Sequence, residues 1–180
     1  MREIIIDTET TGLSPGDGHR IVELAALEMI DKRLTGRCWH SYFDPGMVMP
    51  ADAERIHGLT MCFLNGKPKF EDMAAGFADF VTSGNLVVTG FTDFVTSGNL
   101  VIHNAKFDMS FINAELSNCG LPEIRVEVVD TLALARRKHP RGPNSLHALC
   151  TRYGVETLRL HGAMQDALAL GAIYPQLLDA

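Results

Sequence analysis

Ile4-Ile5-Ile6-Asp7-Thr8-Glu9-Thr10-Thr11-Gly12 is the stretch on which the reading of this chain turns. Three β-branched apolar residues run straight into two carboxylates spaced i, i+2. Side chains on a strand alternate, so Asp7 and Glu9 share a face. Thr10-Thr11-Gly12 then breaks the strand and lets the backbone turn. Two acids at the end of a buried strand repel one another and are costly to desolvate unless a cation sits between them. A hard divalent ion suits such oxygen donors. Taken alone, the stretch reads better as a pair of solvated carboxylates at a strand end, and the rest of the chain has to decide.

Residues 21–29 alternate Ile21, Glu23, Ala25, Leu27 and Met29 against Val22, Leu24, Ala26 and Glu28, which predicts a second strand. Residues 31–36 are polar and turn-like, and Cys38-Trp39-His40-Ser41-Tyr42-Phe43 reads as a third strand, completing an antiparallel meander. A short helical turn is expected over 51–55. Helical spacing recurs over 70–81 (Phe70, Met73, Ala74, Phe77, Phe80, Val81), with Ser83-Gly84 as its stop. Further helices are expected over 104–119, 131–138, from the Asn144-Ser145 cap to 153, and from about 162 to 178, with a short strand over 126–129. Strands first, then strand alternating with helix, predict an α/β fold with a mixed sheet flanked by helices.

One segment repeats. Residues 77–87 return as 91–101 with ten of eleven positions identical, Ala78 against Thr92 being the exception. One such repeat is a local tandem duplication and not a solenoid. Each copy encodes the end of a helix, a turn and the start of a strand, and one central strand slot can take only one of them. Copy two leads into His103-Asn104-Ala105-Lys106-Phe107-Asp108, whereas copy one leads into Val88-Thr89-Gly90 and would set Phe94 where copy two sets Asp108. The expectation is that copy two enters the sheet and about fourteen residues bulge out as a surface insertion, since added loop length costs little.

A chain of 180 residues suits one domain, here 1–180 with the duplication at 77–101 inside it. Hydrophobic content of 46% against 21% charged residues argues against disorder. The net charge of −6 supplies no overall basic field, although bound metals and a local basic patch can still hold phosphates. The chain enters a strand directly after Met1-Arg2-Glu3, which leaves no room for a signal peptide, and no apolar run reaches membrane-spanning length. Cys38, Cys62, Cys119 and Cys150 are scattered without a CxxC pair, and are expected to be reduced core or near-core thiols in a cytoplasmic protein.

Two further stretches join Asp7 and Glu9. Asp108 falls in the first turn of a helix after a strand, where the helix dipole favours a carboxylate. In His161-Gly162-Ala163-Met164-Gln165-Asp166, the histidine can hang from a loop while Asp166 projects from the helix that follows. In this order and spacing the set resembles the DnaQ-like 3′→5′ exonuclease family with the DEDDh signature: Asp7 and Glu9 match its first motif, Asp108 its second, His161 with Asp166 its third. The resemblance covers almost the whole chain. Ile56-His57-Gly58-Leu59-Thr60 looks like the family's HG loop, and Asn144-Ser145-Leu146 with Ala148-Leu149-Cys150 looks closest to its branch of proofreading (epsilon) subunits of bacterial DNA polymerase III. The departure is the duplication, just ahead of the second motif.

The resemblance implies a ribonuclease-H-like mixed five-stranded sheet and stepwise hydrolysis of DNA from the 3′ end, in replication proofreading. It implies two divalent ions, Mg²⁺ or Mn²⁺: Asp7 would bridge both, Glu9 and Asp166 would complete the ion carrying the attacking water, and Asp108 would hold the second. His161 would be the general base, its ordinary pKa of about 6.5 suiting proton removal at neutral pH. Thr10, Thr11, Gly12, Leu13, His57 and Asn104 would line the terminal nucleotide, with Leu13 as an apolar wedge. The basic run Arg136-Arg137-Lys138-His139-Pro140-Arg141 is a candidate phosphate contact, although such a run is more often a solvated surface. The implied partners are single-stranded DNA 3′ ends and the DNA polymerase III catalytic subunit. Two other readings compete: an RNA-directed 3′ exonuclease resembling oligoribonuclease or ribonuclease T, and a non-catalytic interaction subunit whose second motif the duplication has displaced.

Overall fold

A computed structural model describes residues 1–82, 98–157 and 161–178. Strands β1 (Arg2–Thr10), β2 (Ile21–Ile30), β3 (Arg33–Tyr42), β4 (Asn99–Ile102) and β5 (Val128–Asp130) form a sheet in the order β3-β2-β1-β4-β5. β1 pairs antiparallel with β2 and parallel with β4, which is itself parallel to β5. The sheet is mixed, as expected. Helices α1 (Ala51–His57), α2 (Met61–Leu64), α3 (Phe70–Thr82), α4 (Ala105–Asn118), α5 (Thr131–Lys138), α6 (Leu146–Tyr153) and α7 (Ala163–Leu178) surround it.

The central strand explains the run Ile4-Ile5-Ile6. A strand covered on both faces needs no polar alternation, and all three isoleucines are fully buried. Ile4 and Ile6 pack with Phe70 and Phe77 of α3 and Phe111 and Ile112 of α4. Ile5 points the other way, into Leu149 of α6 and Leu170 and Ile173 of α7. The parity of β1 thus assigns its odd residues to the α7 side and its even residues to the α3/α4 side.

Copy two of the duplication supplies β4, as expected, with Leu100 and Val101 paired to Ile4 and Ile5. Copy one instead ends α3: Phe77 is buried in the core, and Thr82 closes the helix by donating to the Ala78 carbonyl at 2.9 Å. The Arg2 guanidinium caps the same helix end through the Phe80 and Val81 carbonyls at 2.8 and 3.0 Å. The helix stop expected at Ser83-Gly84 and the bulge expected between the copies lie outside the described residues.

Three expectations need correction. β3 begins at Arg33 and not at Cys38, because Asp31 and Lys32 make the turn by themselves, with φ of 49° and 64°. The strand lies at the sheet edge and its first six residues are exposed, so no burial pattern marks them in the sequence. A further short helix, α2, starts where the Thr60 side chain accepts the Phe63 N–H. Finally, all four cysteines are free, but only Cys150 is buried and Cys119 half-buried; Cys38, on the edge strand, and Cys62, on α2, are exposed.

Candidate active site

Asp7 and Glu9 continue the odd face of β1 beyond Ile5, so both project toward α7 at the carboxyl end of the strand. Asp166, in the first turn of α7, meets them there. An oxygen from each of these three half-buried carboxylates lies within 4.8 Å of the others. The spacing of His161 and Asp166 has a local cause: Asp166 Oδ1 reaches back to accept the His161 backbone N–H at 3.2 Å. That bond holds the loop ahead of the helix. His161 itself is exposed, with φ of 72°, a left-handed conformation that costs a non-glycine residue about 1–2 kcal/mol.

Asp108 arrives from the opposite face. It is buried at the start of α4, and its Oδ1 accepts both the Thr8 N–H at 3.1 Å and the Thr8 hydroxyl at 2.8 Å. Thr8 is an even residue and so faces α4, which is why it, and not Asp7, receives this carboxylate. The structure therefore gathers Asp7, Glu9 and Asp166 into one group and sets Asp108 beside it, tied to the strand through Thr8.

The electrostatics record the crowding. Burial first, then Asp108, Asp166, Glu9 and Glu23, drives the Asp7 carboxyl well above its usual range. Burial and then Asp166 push Glu9 up to about 8. Burial pushes Asp166 up to about 6, opposed by the His161 N–H bond and the His161 imidazole. Asp108 is also raised by burial, with its bonds to Thr8 pulling the other way. Among the described residues, no lysine or arginine forms an ion pair with any of these four acids. Clustered oxygen donors carrying uncompensated negative charge fit a hard divalent cation.

The residues expected to line a substrate divide. Leu13 is 85% exposed beside the site, free of any packing role. Thr10 and Thr11 are both buried, and their hydroxyls are committed to the turn. Thr10 Oγ1 donates to the Gly12 carbonyl at 2.7 Å, and Thr11 Oγ1 accepts the Arg20 N–H at 3.0 Å and meets His19 Nδ1 at 3.1 Å. These bonds hold the turn that carries Leu13 beside the carboxylates. Gly12 lets the His19 ring approach closely; a side chain there would displace that ring. Asn104 is exposed with φ of 67°, its N–H donating to Asp130 at 3.2 Å. His57 is buried, and its Nδ1 accepts the Leu59 N–H at 3.0 Å. Burial lowers its pKa. A backbone hydrogen bond with Thr10 opposes that shift and ties the imidazole to the turn after β1.

One acid escaped the sequence reading. Glu23, opposite Glu9 in the β1–β2 register, is 1% exposed and contributes to the raised pKa of Asp7, Glu9 and Asp166. Its signal in the sequence is an acid at an inward position of a mostly apolar strand, which Glu28 on the same strand shares with it.

Known proteins share both sequence and fold with this chain. A family model described as Exonuclease (RNase_T) matches residues 4–95 and 86–174, the two segments overlapping inside the duplicated stretch. The DNA polymerase III subunit epsilon of Rickettsia felis is 44% identical over 183 residues, covering 98% of this chain and 74% of that protein. The subunit of the same name from Buchnera aphidicola subsp. Schizaphis graminum is 39% identical, covering 97% and 73%. Among solved structures, Exonuclease X in complex with 5′ overhanging duplex DNA superposes with a TM-score of 0.72 at 25% identity, over 98% of this chain and 91% of that one. E. coli Exonuclease I in complex with a dT13 oligonucleotide has a TM-score of 0.81 at 19% identity, over 99% and 41%, a likeness of fold.

Proposed function

This chain belongs to the Exonuclease (RNase_T) family, and on that premise we propose that it hydrolyses DNA from the 3′ end, one nucleotide at a time, as a proofreading subunit of a replicative polymerase. The observation that carries the reading is the uncompensated group of Asp7, Glu9 and Asp166, with Asp108 alongside. Relatives named as polymerase III epsilon subunits, and a neighbour of similar fold that holds DNA, support the choice of substrate and role. The reading takes residues 1–180 as one catalytic domain that includes the duplication, working in the cytoplasm and paired with a polymerase III catalytic subunit.

Asp7, Glu9 and Asp166 would hold one divalent ion, and Asp7 with Asp108 a second, Mg²⁺ or Mn²⁺ in both cases. Such ions, when bound, act as Lewis acids on the scissile phosphoryl group and stabilise charge on the attacking and leaving oxygens. The chain's own residues do the rest. Thr8 orients Asp108 through two hydrogen bonds to one oxygen, which leaves the other oxygen unspent. His161, exposed on its loop, takes the proton from the attacking water, and the Asp166 bond to its backbone holds that loop in place. The turn that carries Gly12 presents Leu13 to the terminal base, and His57, buried against the Thr10 backbone, lines the same pocket. None of these contacts reads base identity, as an enzyme that must accept any 3′ end requires.

The test is degradation of a 5′-labelled single-stranded DNA oligonucleotide with Mg²⁺ or Mn²⁺, beside EDTA and a matching RNA. A metal-dependent ladder shortening from the 3′ end, faster on DNA, is expected. Preference for RNA would move the substrate to ribonucleic acid, and no cleavage of either would overturn the reading.

A further inference from the structure

Glu23 sits where an acid is costly. It faces Glu9 across β1 and β2, is almost wholly buried, and adds to the repulsion among Asp7, Glu9 and Asp166. A residue there only to fill space would be apolar. Its carboxylate is instead held from both sides. His40 Nε2, on the adjacent strand β3, lies 2.8 Å from Glu23 Oε1. The same oxygen faces the Met164 backbone N–H, in the first turn of α7, at 3.5 Å. That N–H is one of the orphan donors of a helix start, and the residue ahead of the helix, Gly162, has no side chain with which to cap it. A carboxylate at this end of a 16-residue helix is also favoured by the helix dipole.

This turn carries Asp166, and through Asp166 it holds the His161 loop. It must press one acid against two others that repel it, so something has to draw it inward. We propose that Glu23, oriented by His40, is a positioning residue that caps α7 from β2 and so sets Asp166 and the His161 loop against Asp7 and Glu9. The proposal rests on the exonuclease reading above for its consequence in catalysis; the cap itself does not depend on it. Glu23 need touch neither substrate nor metal, and it acts through the helix it holds.

The test uses the full chain and three variants: Glu23→Ala, Glu23→Gln and His40→Ala. Steady-state cleavage of single-stranded DNA with Mn²⁺ is measured beside amide hydrogen exchange of residues 163–168 in EDTA. Glu23→Ala is expected to lower kcat about 10–100-fold, the usual cost of losing a partner that orients a metal ligand, with KM nearly unchanged. Metal-free exchange in the first turn of α7 should speed up roughly fivefold, the scale of one lost hydrogen bond. Glu23→Gln keeps the accepting oxygen and should restore kcat to within about threefold of the parent, the neutral acceptor being the weaker one. His40→Ala should move both readouts in the same direction as Glu23→Ala, and it carries the test if Glu23→Ala does not fold. Parent-like kcat and exchange in Glu23→Ala would overturn the proposal, as would a Glu23→Gln as impaired as the alanine variant, since charge would then be the requirement. If the parent chain cleaves no DNA while exchange responds as described, the exonuclease reading falls and the cap stands.

Discussion

The odd face of β1 runs under α7 for its whole length, and it treats its acids in opposite ways at its two ends. At the amino end Glu3 is fully buried, yet Lys32 Nζ lies 2.6 and 2.7 Å from its two oxygens and the Tyr174 hydroxyl donates at 2.7 Å. Glu28, on β2 nearby, is likewise met by Arg2 at 2.8 Å, by Arg37 at 2.9 Å and by the Thr35 hydroxyl at 2.9 Å; the Arg2 bond leads in holding its pKa low. About 13 and 20 Å further along the strand, at about 3.3 Å per residue, Asp7 and Glu9 meet another acid in place of a base. Glu3 is the more buried, so burial does not separate it from the acids of the candidate site. The missing counter-charge does. One end is closed by lysine and tyrosine, and the other gathers acids with no lysine or arginine paired to them among the described residues, the arrangement on which the proposed cation site rests.

The largest expected break in this contrast is Asp7→Ala. Hydrolysis should fall on the order of 10³-fold or more, in line with losing preorganised transition-state stabilisation. The metal-free melting temperature should hold or rise, because Glu9 and Asp166 lose a repelling neighbour. Full activity in this variant would sink the metal reading. His161→Ala should cut turnover about 10²–10³-fold, as for a lost general base. Calorimetric Mn²⁺ affinity should stay put, and a collapse of affinity would make the histidine a ligand.

Lys32→Met probes the closed end. It leaves the Glu3 carboxylate buried with Tyr174 as its remaining partner, so urea denaturation should show a loss of about 1–3 kcal/mol. Specific activity should be unchanged, and parent-like stability would erase the difference between the two ends. The open end should also make stability depend on pH. Glu9 titrates near 8 and Asp166 near 6 in the folded chain, against ordinary values of 4.5 and 3.8, so the folded state holds more protons than the unfolded one between those limits. Stability is therefore greatest on the acid side of this window and falls as pH rises through it. Melting in EDTA should drop between roughly pH 5 and pH 8, at about 2–4 °C for each kcal/mol lost, and Mn²⁺ should flatten the curve. A rise with pH would contradict it. The smallest effect belongs to Leu13→Ala. KM should increase only a few-fold, the scale of about 1 kcal/mol of apolar contact, with melting unaltered because the side chain packs on nothing.

Much of this was legible in the residues. Strand parity alone put Asp7 and Glu9 on one face, and the duplicated segment entered the sheet through the copy that delivers Asp108, as the downstream sequence required. The edge strand was less legible. Residues 33–37 of β3 are exposed, and an exposed edge carries no burial period to betray it. The bonds inside the turn were not legible either: Thr10 Oγ1 donates to the Gly12 carbonyl and Thr11 Oγ1 meets His19 and Arg20, contacts that depend on how the turn closes.

The sequence by itself determined the local facts: a two-residue period along β1, a carboxylate in the first turn of each of two helices, and a turn at Thr10-Thr11-Gly12. These depend on bonded geometry and near neighbours, so they can be read without knowing where the chain goes next. Only the tertiary structure decided which acids meet. It brought Asp166 across from α7, tied Asp108 to Thr8 on the far face of the strand, gave Glu3 a lysine, and set Glu23 beneath a helix start 141 residues away. Charges act through space and not along the chain, so whether a buried acid is neutralised or left waiting for a cation is settled when the sheet and helices close around it.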